Sequence, residues 1–107
     1  MSANHGLTDE TVAQIHEVLA HHPEVEKVVL YGSRAKGNFK PGSDVDLTLL
    51  GAGVTSKIVG QIQDELEDGP LPYTFDLSML AQITQADLLD HIRRLGVVFY
   101  EKKPLPA

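Results

Sequence analysis

The sequence contains no cysteine. Disulfides, thiolate zinc sites and thiol nucleophiles are excluded together, so any metal must be held by oxygen or imidazole. No window approaches the ~18 consecutive apolar residues of a membrane span, and the N-terminus lacks a basic region followed by an apolar stretch. These absences predict a cytoplasmic chain with no membrane association. Basic residues are scarce, 9 Lys+Arg against 15 Asp+Glu for a net charge of −6, so the overall footprint of a stand-alone nucleic-acid binder is missing. What remains is ordinary in amount. The chain has 107 residues, 42% hydrophobic and 22% charged, which predicts one globular domain over 1–107 with residues 1–6 and 103–107 flexible. Its many carboxylates make a hard, oxygen-ligated cation the first candidate ligand.

No internal repeat or low-complexity tract interrupts an αβαβαβαβ alternation. Thr8 caps a first helix with Val12, Ile15 and Leu19 on its apolar face, ending before Pro23. Lys27 to Tyr31 reads as a strand, and Ser33 to Lys36 as a helical turn closed by Gly37. A loop from Asn38 through Pro41 to Ser43 leads to a second strand, Asp44 to Leu50. Thr55 caps a third helix that buries Ile58, Val59, Ile62 and Leu66, and Tyr73 to Met79 forms the third strand. Thr84 with Asp87 resembles a capping box for a last helix with Leu88, Leu89, Ile92 and Leu95 inward, followed by Gly96 and a strand from Val97 to Tyr100.

Strand side chains switch face at every residue, so Asp44, Asp46 and Thr48 share one side while Val45, Leu47 and Leu49 share the other. Asp76 and Ser78 likewise oppose Phe75, Leu77 and Met79. A parallel sheet sandwiched by helices would be apolar on both faces. The pattern therefore predicts an α+β fold: a mixed sheet of four strands with helices on one face and an open polar face where three carboxylates converge.

The Gly32-Ser33 pair follows a strand and opens a helical turn, and after ten intervening residues comes Asp44-Val45-Asp46. A glycine-containing strand-to-helix turn offers backbone N–H groups to a phosphate, and a serine hydroxyl adds a donor. Carboxylates at i and i+2 on a strand stand roughly 7 Å apart at their Cα atoms, close enough to share divalent ions. Magnesium suits them, because it takes one or two carboxylates and completes its shell with phosphates and water. Asp76 on another strand can bridge to a second ion or accept a proton from an attacking hydroxyl. Arg34, Lys36 and Lys40 add local positive charge.

Gly32-Ser33-Arg34-Ala35-Lys36-Gly37, Gly42-Ser43-Asp44-Val45-Asp46-Leu47 and Phe75-Asp76-Leu77 together resemble the minimal nucleotidyltransferases of the DNA polymerase β superfamily, over nearly the whole chain. The resemblance implies transfer of a nucleoside monophosphate from an NTP, ATP first among them, with two Mg2+ ions. It makes Asp44, Asp46 and Asp76 catalytic and metal-binding, Gly32 and Ser33 the triphosphate turn, and Arg34 and Ser43 further nucleotide-binding candidates. Family members of this size are similar to the antitoxins of HEPN/MNT toxin–antitoxin pairs, some of which attach AMP to a tyrosine hydroxyl of the HEPN toxin. The implied partner is a HEPN-domain protein, with no stable nucleic-acid binding. A short chain leaves little material for an acceptor site, which points independently to a second chain.

Two other functions fit the same residues: a non-catalytic antitoxin acting by occlusion, and an antibiotic nucleotidyltransferase core. Bland readings apply elsewhere. His5, His16, His21, His22 and His91 lack metal-ligand spacing and are expected at the surface. The acidic run Asp64-Glu65 and Glu67-Asp68 reads as a solvated face. Tyr31, Tyr73 and Tyr100 read as core or sheet residues.

Overall fold

The computed structural model describes residues 5–40 and 42–102. Along them run helix α1 (Asp9–Ala20), strand β1 (Lys27–Tyr31), the single turn α2 (Ser33–Lys36), β2 (Val45–Leu50), α3 (Ser56–Asp68), β3 (Phe75–Met79), a 3-10 turn (Leu80–Gln82), α4 (Ala86–Leu95) and β4 (Val97–Glu101). The sheet order is β3-β2-β1-β4, with β1 antiparallel to both neighbours and β2 parallel to β3. The parallel pair is joined across α3, as parallel neighbours require a crossover. The expected mixed four-stranded α+β sheet is therefore present.

Side-chain alternation divides the sheet as its sequence pattern dictates. Val28, Leu30, Val45, Leu47, Leu49 and Phe75 face Ile15 and Leu19 of α1 and Ile62 and Leu66 of α3 in one buried cluster. Burying an aliphatic side chain of this size contributes about 1.5–3 kcal/mol. Helix starts follow their caps: Thr11 N–H donates to Thr8 Oγ1 (3.1 Å) and Ile58 N–H to Thr55 Oγ1 (3.3 Å). Replacing Thr55 with alanine is expected to lower stability by about 1 kcal/mol, measurable as a shifted urea midpoint at unchanged slope.

α4 differs from the expectation. Its preceding residue is Gln85, with no side-chain cap, so Thr84 and Asp87 form no capping box. Only Ile92 of its apolar stripe is buried, and Leu95 is exposed. The helix lies over β1 on the face opposite the main core: Gly96 abuts the Val29 side chain, and the His91 ring meets Tyr31 edge-on. A Cβ at Gly96 would overlap both Ile92 O and Val29, so glycine here permits close approach of helix and strand. The polar face is accordingly open at the Asp46 end, whereas Thr48, two residues further along β2, is fully buried.

The N-terminal expectation also changes where the structure describes it. His5 and Leu7 are buried, with Leu7 in the core, so packing begins before α1. Residues 1–4, Pro41 and 103–107 lie outside the described residues.

Candidate active site

Strand register brings the acids together. Tyr31 of β1 is opposite Asp46 of β2, and Asp46 is opposite Asp76 of β3. Adjacent strands stand about 4.8 Å apart, so the three side chains form one row across the open end of the sheet. Asp44 and Asp76 are exposed and Asp46 is half-buried. Burial raises the Asp46 carboxyl from its ordinary 3.8 to about 6, with further contributions from the charges of Asp76 and Asp44. The direction is that of a carboxyl withdrawn from water and then crowded by like charges.

Gly32 closes the row from above. Its backbone (φ 77°, ψ −155°) lies where L side chains are strained, and a Cβ there would overlap the Asp46 carboxylate. The Gly-Ser turn and the acid pair are thus one site. Ser33 begins α2, and Gly37 closes it in the left-handed region.

The remaining nucleotide candidates are placed differently. Arg34, expected at the nucleotide, is only 2% exposed and points inward. Its Nε and Nη2 donate to Ser43 O (3.3 and 3.0 Å) and its Nη1 to His5 O (2.9 Å). Phe39 and Tyr73 present their rings to the guanidinium, each 5.2 Å from centroid to Cζ. Ser43 Oγ accepts Lys40 N–H (2.8 Å) and shapes the loop. Of the basic residues in this segment, Lys36 and Lys40 remain exposed.

Among the described residues no group of three or more acids, histidines or cysteines forms a ready-made metal cage. The ion pairs found there are His21–Glu65, His22–Glu65 and Arg94–Asp90, so Asp44, Asp46 and Asp76 have no cationic partner among the described residues. An uncompensated, oxygen-only donor set suits a hard ion that brings water and phosphate as its other ligands.

Two residues read as bland in the sequence belong to this site. Tyr31 is in the sheet as expected, but on the acid row. Burial raises its phenol pKa, Ser78 offsets part of the rise, and the charges of Asp76 and Asp46 add to it. Alternation from the buried Leu30 puts it on the acid face, an assignment the sequence leaves open because both faces of β1 carry apolar residues. His91 is half-buried and accepts the Gly32 N–H on Nε2 (3.0 Å), a contact over 59 residues that no local pattern signals. Replacing His91 with leucine strands that amide. The expected result is a stability loss of about 1–2 kcal/mol, checked by thermal denaturation.

The surface expectation for histidines holds for His21 alone. His5 is buried, His16 Nε2–H donates to Phe99 O (2.6 Å), and His22 with His21 meets Glu65. His22 holds the Glu65 carboxyl below its ordinary pKa, so this residue of the acidic run ties α3 to the end of α1. A spacing test for metal ligands overlooks such positions, where a ring buries its body and hydrogen-bonds through its tip.

Residues 13–105 match the family model described as "Polymerase beta, Nucleotidyltransferase". The chain belongs to this family. No curated protein matches it. Among solved structures this nucleotidyltransferase is similar in fold to a toxin–antitoxin crystallised with AMP-PNP, at 20% identity and TM-score 0.69 over 86% of this chain and 74% of the other. It is also similar to the MntA–HepT toxin–antitoxin, at 16% identity and TM-score 0.59 over 89% and 74%. A third likeness is to the tri-AMPylated Shewanella oneidensis HEPN toxin in complex with MNT antitoxin, at 18% identity and TM-score 0.62 over 85% and 70%.

Proposed function

We propose that this nucleotidyltransferase moves AMP from ATP to a side-chain hydroxyl of a HEPN-domain partner, as the antitoxin of a toxin–antitoxin pair. The observation that carries the reading is the row of Asp46 and Asp76 beneath the Gly32-Ser33 turn. The family match and the AMPylated neighbour support the reaction class and the acceptor.

In this reading Asp44, Asp46 and Asp76 would hold two Mg2+ ions, which when bound neutralise triphosphate charge and polarise the reacting phosphate. Gly32 and Ser33 seat the triphosphate, with Lys36 and Lys40 adding positive potential. The exposed Asp76 takes on Oδ the proton of the attacking hydroxyl. The hydroxyl oxygen forms a bond to the α-phosphorus, the bond from that phosphorus to the bridging oxygen breaks, and pyrophosphate leaves. Arg34 and Ser43 act on loop geometry.

Incubation with α-labelled ATP, Mg2+ and either a HEPN protein or an aminoglycoside separates the acceptors. Label on the HEPN protein supports the proposal, and label on the aminoglycoside replaces it. Neutralisation of toxicity without label indicates antitoxin action by occlusion.

A further inference from the structure

We propose that Arg34 is a positioning residue that ties the Gly32-Ser33 turn to the lead-ins of all three acids and to the N-terminal segment. The proposal rests on the nucleotidyl-transfer reading for its functional consequence. Its geometry stands apart from it.

Arg34 follows Ser33 directly. Both bonds to Ser43 O end on the residue before Asp44, and the Tyr73 ring it faces lies three residues before Asp76. Phe39, on its other ring contact, belongs to the loop joining α2 to β2. The Nη1 bond to His5 O fastens the segment whose Leu7 enters the core. One fork thus touches three stretches of chain: the N-terminal segment, the loop from α2 to β2 and the lead-in to β3. Among the described residues no carboxylate pairs with it, so carbonyl dipoles and ring faces must compensate a buried cation. That expense is hard to explain if the side chain only filled space, where methionine would serve. Lysine is a poor substitute, because a single ammonium lacks the planar array of donors that reaches two carbonyls at once. His5 fits the same arrangement: burial first, and the Arg34 charge next, lower its pKa. Its neutral Nδ1 accepts Leu7 N–H (3.1 Å).

The test compares full-length wild type with Arg34→Lys, Arg34→Met and Phe39→Leu. It reads thermal stability, amide hydrogen exchange over residues 32–38, 43–46 and 73–76, and affinity for Mg·AMP-PNP well below the melting temperature. The expected result is faster exchange in all three segments together, with affinity reduced on the order of tenfold in both Arg34 variants. Phe39→Leu should move the same segments less, and it carries the test should Arg34→Met not fold. Weakened affinity with unchanged exchange would make Arg34 a direct phosphate ligand, and lost stability with wild-type affinity would make it a brace only. Either overturns the proposal. Failure of wild type to bind AMP-PNP would count against the proposed function instead, while segments that loosen independently of one another would still overturn the clamp.

Discussion

Asp44→Asn combined with Asp46→Asn is expected to abolish the proposed AMP transfer, by at least ~10³-fold, and to make the metal-free protein more stable above pH 6 than wild type. The loss of activity follows from removing charge where the triphosphate's counter-ions would be held. The gain in stability follows from the Asp46 carboxyl, raised to about 6 by burial and then by Asp76 and Asp44. A raised carboxyl binds its proton more tightly folded than unfolded. The Asp46 contribution to wild-type stability therefore falls as pH rises between 3.8 and about 6, then levels off. After a discount for partial exposure the difference is about 1–2 kcal/mol. Asparagine carries no such penalty. Melting curves in chelator from pH 4 to pH 7 should show wild type dropping relative to the double variant, and Mg2+ with nucleotide should restore wild type alone. A double variant less stable than wild type at pH 7 in chelator would mean that the acids are structural.

Gly32→Ala has the second large effect. The substitution combines backbone strain at φ 77° with overlap of the new methyl and the Asp46 carboxylate. It also disturbs the N–H held by His91. A stability loss of about 2–4 kcal/mol is expected, with transfer reduced roughly a hundredfold because Asp46 must move. Gly37→Ala is the control. Gly37 has φ 86° but nothing within 4 Å of a new Cβ, so it should lose about 1 kcal/mol from strain and retain transfer. Equal activity losses in the two variants would mean that backbone strain, and not proximity to Asp46, governs the site.

The contrast between these glycines shows where sequence reading succeeds. That Gly32 opens the short helical turn and Gly37 closes it was legible from the residues around them, because turn chemistry is local. The Asp44/Asp46 spacing and the placement of Asp76 on the same face followed from strand periodicity, which the parallel register of β2 and β3 then preserves. That Gly32 touches Asp46 depends on register between strands, which periodicity leaves open. Arg34 is the sharper case. Within its hexapeptide it looked like a phosphate ligand, since an arginine near a glycine turn has few other local partners. Its partners are Phe39 and Ser43 of the loop that follows α2, together with His5 and Tyr73 from two distant segments that only tertiary packing brings to it. His91 was misread for the same reason. The apolar stripe of α4 was visible, but not the face of the sheet it would cover, because both faces of β1 carry apolar residues.

The most direct test is the intact mass of a HEPN partner co-expressed with this chain and purified with it. Wild type should add one or more AMP units to the partner at a hydroxyl residue, and Asp44→Asn with Asp46→Asn should leave the partner unmodified in an intact complex. A partner that stays unmodified with wild type, or is modified equally by the double variant, would contradict the assignment of Asp44 and Asp46 to nucleotidyl transfer.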